Sequence, residues 1–294
     1  MSPYRTLLLF FFFISFTDLY GQKMPDDYFD EGVEASKNNN DSLALADYYY
    51  IVNNHPKNEI FPRAYYNIGY TYYKTQDYTN AVKIFRNILK GEFNDLEPSG
   101  RPGIMSNPYA NYKHNAASLL SKIYENRALY DTALFYLFQA DTLYTYEHFC
   151  GNEQMANRIY TAVKYANLYE HLNQTTKAEK VLLAVSFSSG LASNQEALDE
   201  LNTLFKKHGN PKQLRTDLEK SINDYIVDTN YYDTDTTFSY YILFQGEKIE
   251  FYYGGFGGMN PRLFTNETDN KISEREKIIA YLKKSELYKI IKDL

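Results

Sequence analysis

The chain reads as a mainly α protein, a superhelical α-α solenoid of helical hairpins closed by a small α+β unit of one β-hairpin and a terminal helix. Three observations predict this. An apolar stripe built around one small residue recurs at Gly32, Gly69, Ser121 and Ala166, with the 3.6-residue spacing of a helix face. From Phe238 to Tyr253 the pattern changes to alternation with period two, which is a strand signal. The 294 residues, 44% hydrophobic and 23% charged, are those of a globular chain long enough for a sizeable core.

The first element is a leader. Arg5 precedes the apolar run Leu7 to Phe16, and a polar stretch with the small residue Gly21 follows. This reads as a secretory signal over residues 1–21, cleaved after Gly21. Ten apolar residues are too few to span a bilayer, which takes about 20. No later segment is long and apolar enough to be transmembrane, and no Cys near residue 20 could carry a lipid. Cys150 is the single cysteine, so no intramolecular disulfide and no four-Cys zinc site exist. Export without disulfides points to a bacterial envelope protein held together by packing, in the periplasm, at the cell surface or secreted. Cys150 itself reads as a small buried hydrophobe.

Residues 22–187 carry the repeats. The clearest copy has Tyr65, Ile68, Gly69 and Tyr72 on one stripe, a turn at Thr75-Gln76-Asp77, then Ala81, Phe85 and Ile88 on a second stripe. Ala117, Leu120, Ser121 and Tyr124, then Ala133, Leu137 and Ala140, repeat it. Ala162, Tyr165, Ala166 and Tyr169, then Ala178, Leu182 and Val185, repeat it again. A weaker copy comes first, with Tyr28, Gly32 and Ala35, then Ala44, Tyr48 and Ile51 before Pro56. These four hairpins resemble the tetratricopeptide repeat, a helical hairpin of about 34 residues with small residues where two backbones meet. The small residues stand 37, 52 and 45 positions apart. The Pro- and Gly-rich loop Gly91 to Ala110 accounts for the second interval, and the third predicts longer helices around Asp141 to Ala156.

Residues 188–230 read as capping helices. One runs from Asn194 to His208, and a second starts at Pro211 and continues to about Val227. Residues 231–294 form the α+β unit, with ten Tyr or Phe and five Gly between Tyr231 and Met259. A hairpin turning at Gly246-Glu247 with Gly in the first turn position is expected. Ser273-x-x-Glu276 is a capping box that opens one last helix.

Several chemistries are absent from the sequence. The net charge of −6 argues against a nucleic-acid partner, which needs a positive footprint. No G-x-S-x-G, H-E-x-x-H or S-x-x-K is present, and the five His are scattered singly, so the chain is read as non-catalytic, without cofactor or metal. Gly254-Gly255-Phe256-Gly257-Gly258 lacks the helix start that a phosphate cradle needs and reads as a turn. Asp228, Asn230, Asp233 and Asp235 lack the terminal Glu of a calcium loop and read as a solvated acidic linker.

The candidate site is the face beside the packing stripe of each first helix. In the clearest repeat it carries Arg63, Tyr66, Tyr70, Tyr73 and Lys74, in the next Asn115, Lys122 and Asn126, and in the last Asn167. The family resemblance implies that this face lines a concave groove for a partner protein or peptide. An aromatic shelf followed by amide and charged groups suits an extended segment. The expected function is an exported scaffold for protein–protein interaction in the cell envelope. The alternative is a glycan- or small-ligand-binding, or enzymatic, unit at residues 231–294, mounted on the solenoid.

Overall fold

The structure, a computed structural model, describes residues 23–93, 109–187, 192–232, 235–253 and 273–294. The expected signal, most of the Gly91–Ala110 loop, Asp233 and the Gly254–Gly258 stretch lie outside the described residues.

Among the described residues ten helices come before the sheet: eight form four antiparallel hairpins, α1 (Pro25–Lys37) with α2 (Asp41–Asn54), α3 (Phe61–Lys74) with α4 (Tyr78–Lys90), α5 (Tyr112–Asn126) with α6 (Tyr130–Thr142) and α7 (Gly151–His171) with α8 (Thr175–Leu183), and two more, α9 (Gln195–His208) and α10 (Pro211–Asn223), follow them. The hairpin helices pack on their neighbours in sequence and α9 packs on α7 and α8, the nearest-neighbour architecture of a solenoid, while α10 packs on the C-terminal unit. The α-α solenoid predicted from the stripes is therefore the fold. The small residues do what was expected of them. A Cβ on Gly32 would stand 2.7 Å from the Tyr48 ring, and one on Gly69 would stand 2.8 Å from the Phe85 ring. Only a bare backbone lets the two helices of these hairpins approach so closely.

The turns inside the first four hairpins share one conformation. Asn39, Gln76, Ala128 and Asn173 have φ of 59°, 62°, 55° and 57°, each two residues before the second helix of its hairpin. This left-handed step ends the first helix and reverses the chain. A second regularity ties hairpin to hairpin. Lys74, the last residue of α3, donates to Ser36 O at 2.9 Å and to Asp41 Oδ1 at 2.8 Å, and Asp41 is the first residue of α2. Arg127, which caps α5, lies over the ring of Tyr78, the first residue of α4. His171, the last residue of α7, stacks at 4.2 Å on Tyr130, the first residue of α6. His208, the last residue of α9, faces Glu179 in α8. The end of each first helix thus latches onto the second helix of the hairpin before it.

Several expectations are corrected. The long third interval is not continuous helix, because Leu143 to Cys150 is a loop and the extra length lies in the 21 residues of α7. Asn111 closes that loop, donating to Glu147 O and accepting from Glu147 N, both at 2.9 Å. The last capping helix stops at Asn223 rather than Val227, and the supposed linker is a strand, β1 (Ile226–Tyr232), so the expected boundary at residue 230 falls within it. The terminal helix is two helices, α11 (Glu274–Leu282) and α12 (Glu286–Asp293), the second capped by Ser285. The capping box of Ser273 and Glu276 is present as predicted.

β1 pairs antiparallel with β2 (Asp235–Phe244), which pairs antiparallel with β3 (Glu247–Phe251). The tight turn is Gln245-Gly246, with φ of 53° and 78°. Both values are positive, as a type I′ turn requires, so Gly holds the second turn position rather than the first. Tyr240, Ile242, Phe244, Ile249 and Phe251 are buried in one core with residues of α8, α9, α10 and the two terminal helices. Among the described residues, the Tyr240, Phe244 and Phe251 rings therefore belong to the unit's own core, while Tyr252 and Tyr281 are exposed.

Candidate functional site

The first helices of successive hairpins stand side by side, and the residues on their free faces meet across the gaps. Tyr66 is covered, its ring 5.7 Å from Tyr112 and 6.1 Å from Phe85, and burial pushes its hydroxyl well above the usual phenol range. It is a packing residue between two hairpins. Tyr70, one turn further on, is 46% exposed and has the Tyr73 ring at 6.2 Å. Tyr73 also meets Tyr78 at 6.1 Å and lies close enough to Lys122 of α5 to act on its charge. The Lys122 ammonium is held above its ordinary pKa first by the Tyr73 hydroxyl and further by Tyr160 and Glu125.

Between α5 and α7 lies a niche of about 30 Å³, lined by Ser118, Lys122, Glu125, Asn157, Tyr160 and Lys164 among others. Its floor is polar, since His114, Ser121 and Thr161 are buried there. His114 Nδ1 sits 3.1 Å from Ala140 O and 2.9 Å from Tyr144 O. Two carbonyl acceptors on one ring nitrogen require the proton to be on it. At the mouth, Tyr160 is 50% exposed, and Lys164 Nζ stands 5.6 Å from the centre of its ring.

The same face continues onto α9. Glu200 lies near Asn167, Glu170, Glu196 and Lys164. Burial is the main cause of its raised pKa, with the two neighbouring carboxylates adding to it. Glu200 Oε2 is shut from solvent and has no hydrogen-bond partner. Tyr70, Tyr73, Lys122, Tyr160, Lys164, Asn167 and Glu200 thus form one ladder across α3, α5, α7 and α9.

Of the residues singled out in the sequence, Tyr70, Tyr73, Lys122 and Asn167 are brought together on this face. Lys74 is not, because its ammonium is spent on the latch to Ser36 and Asp41. Arg63 lies at the start of α3, in a separate hollow of about 700 Å³ shared with Asp26, Glu59 and Glu92. Asn115 reaches back to Ala110 O at 3.5 Å, and Asn126 is exposed in the last turn of α5 beside the Arg127 latch. Lys164 and Glu200 are the residues that sequence reasoning missed. Lys164 stands four positions after Tyr160 and three before Asn167, so the helical stripe itself contained the signal. Glu200 had none, because its helix was read only as a cover and not as part of the candidate face.

Cys150 is half-buried at the start of α7, where its amide donates to His148 Nδ1 at 3.0 Å. Among the described residues, no group of three or more His, Cys, Asp or Glu is placed to hold a metal ion, and no helix is long and apolar enough to cross a membrane.

Stacked helical hairpins with a continuous polar and aromatic face define a repeat solenoid. The family model of the tetratricopeptide repeat matches residues 62–90, which are α3 and α4 almost end to end. The match covers one hairpin, and the hairpins on either side repeat its geometry. It supports a tetratricopeptide-repeat protein, a class whose repeats serve as scaffolds for protein partners. No curated protein matches the chain.

Proposed function

We propose that this protein is an exported, non-catalytic scaffold that binds an extended segment of another envelope protein in the groove formed by its first helices. The observation that carries this reading is the ladder from Tyr70 to Glu200, which leaves two tyrosines half-exposed beside charged and amide groups. Half-exposed aromatic rings with hydrogen-bonding neighbours are what protein interfaces use as anchors. Export rests on Arg5, the Leu7–Phe16 run and Gly21, and it predicts a mature chain that begins at Gln22.

The test is affinity capture from an envelope extract with the mature chain and with a Tyr70→Ala/Tyr160→Ala variant. Both rings are exposed, so the variant should melt within a few degrees of the parent. A partner captured by the parent and lost by the variant supports the groove. A partner kept by the variant and lost on disturbing the sheet unit would move the function to residues 231–294.

A further inference from the structure

The sheet has two edges, and they are not alike. β3 is flanked by α8, whose Lys180 Nζ lies 2.8 Å from Glu247 Oε1. Among the described residues, β2 is the one element that packs extensively on β1. Which backbone groups β1 leaves unused follows from the ladder. Phe244 and Glu247 close the two-residue turn, so their main-chain groups bond each other. Bonding alternates along a strand, so Leu243 presents its carbonyl to the opposite side, where it accepts from Ser221 Oγ. By the same alternation Tyr241 and Ser239 bond their partners Ile226 and Asp228 in β1. Val227, Thr229 and Tyr231 then turn their N–H and C=O groups away from β2, toward the open edge.

Sheet proteins guard such an edge with Lys, Pro or a bulge. β1 reads Ile-Val-Asp-Thr-Asn-Tyr-Tyr, without Lys or Pro, and its register with β2 runs unbroken from Ile226 opposite Tyr241 to Tyr232 opposite Asp235. Its one charge, Asp228, stands 3.8 Å from Lys248 of β3 and is matched within the sheet. Val227 is 41% exposed, and Thr229 is exposed as well. Asp and Asn weaken a strand that is held from one side, and pairing on the other side would complete it.

We infer that β1 is the seam of a two-fold dimer, in which it pairs antiparallel with β1 of a second copy and joins the two sheets into one. A second copy is the occupant because the strand is complementary to itself. With Thr229 on the two-fold axis, Ile226 stands opposite the partner's Tyr232, Val227 opposite the partner's Tyr231 and Asp228 opposite the partner's Asn230. Aliphatic–aromatic and Thr–Thr pairs are favourable across antiparallel strands, no like charges meet, and all seven residues are paired. The same register brings together the outward-facing groups of 227, 229 and 231. An axis at Asp228 would set two carboxylates against each other, and one at Asn230 would carry Ile226 and Val227 past the end of the partner's strand. One seam is small beside the roughly 1,200–2,000 Å² of a stable interface, so the dimer should form at micromolar rather than nanomolar concentration.

The experiment is sedimentation velocity on the whole mature chain, from submicromolar to high micromolar concentration, where the mass should climb from monomer to dimer. Thr229→Pro removes an N–H that β2 does not use, so circular dichroism should show the sheet retained while self-association weakens about tenfold or more. Thr229→Lys and Thr229→Glu each set like charges face to face on the axis, and each should be monomeric. Mixed in equal amounts at low salt, these two variants should form a heterodimer, because residue 229 meets residue 229 in this register.

A parent chain that stays monomeric at every concentration would overturn the inference. Slow amide exchange at Val227, Thr229 and Tyr231 in that monomer would show the edge covered from within the same chain. A dimer left intact by Thr229→Pro and by both charged variants would set the interface elsewhere and overturn the seam. Should Thr229→Pro unfold the sheet, the charged pair decides, and two folded variants that fail to form a heterodimer overturn it.

Discussion

The two halves of the molecule are packed from different materials. The core shared by α1 to α6 is rich in tyrosine, with Tyr48, Tyr112, Tyr124 and Tyr136 buried beside Phe85 and many half-buried rings around them. The core from α7 to the C-terminus is mainly leucine, isoleucine and phenylalanine, and it covers one face of the sheet. A buried tyrosine carries a hydroxyl that must be partnered, and the first half shows the cost in its network. Arg86 donates to Tyr136 at 3.0 Å and to Tyr124 at 2.8 Å, the Tyr49 and Tyr72 hydroxyls meet at 3.2 Å, and Asn87 donates to Tyr65 at 3.1 Å. Burial pushes the Tyr48 hydroxyl pKa up to about 12, with Asn67 working against the rise and Asp47 adding to it. Abundant tyrosine is therefore chiefly a way of building hairpins here. Only the few rings that the next hairpin leaves uncovered are candidates for binding.

This contrast can be broken most forcefully at Phe205, which is fully buried in the aliphatic core. Phe205→Ala should cost about 3–5 kcal/mol. It should unfold α9, α10 and the sheet before the tyrosine core, so that denaturation followed by far-ultraviolet circular dichroism separates into two steps while the near-ultraviolet tyrosine band reports mainly the later one. A single coincident transition would show that the two cores act as one. Next in size is Gly69→Ala, whose Cβ would press on Phe85 at 2.8 Å and Ile84 at 2.9 Å. The loss should be about 1–3 kcal/mol, read from the urea midpoint. An unchanged midpoint would mean that this hairpin has slack.

The smallest effect sharpens the view of the tyrosine core. Asp47 is 7% exposed, its Oδ2 has no partner, and burial, with Glu31 adding to it, raises its pKa. A carboxyl whose pKa is higher folded than unfolded binds its proton more tightly in the fold, so the native chain gains relative stability as pH falls. Asp47→Asn should accordingly raise stability at pH 7 by about 1 kcal/mol or less. That advantage should shrink as the solution is acidified through the raised pKa toward the ordinary carboxylate value. An advantage that grows on acidification would mean that the carboxylate is the favoured form in the fold.

Much of this architecture was legible because it is local. The stripes at Gly32, Gly69, Ser121 and Ala166 and the turn at Thr75-Gln76-Asp77 follow from spacing within one hairpin, and the hairpins formed where spacing placed them. What was not legible depends on the neighbouring hairpin. Tyr66 and Tyr70 lie on one stripe four residues apart, yet only Tyr66 is covered, because the Tyr112 ring arrives from α5. Lys74 has the sequence signature of a groove residue and is drawn off by Asp41, 33 positions away. Asp228 and Asn230 disfavour a strand on propensity, and β1 exists because β2 is beside it to pair with. The helix break at Lys283 to Ser285 contains no Gly or Pro, so only the Ser285 cap marks it.

The left-handed residue in each of the first four turns has a consequence for how such a chain could be cut and spliced. The first four hairpins begin at Pro25, Phe61, Tyr112 and Gly151, 36, 51 and 39 residues apart, but the step from left-handed residue to second helix is two residues every time. Length is free between hairpins and in the helices themselves, and fixed at the turn inside each hairpin. A graft at Leu143–Cys150 should leave the ladder in register. One extra residue beside Ala128 would instead rotate the following helix by about 100° and turn every side chain on it away from its station.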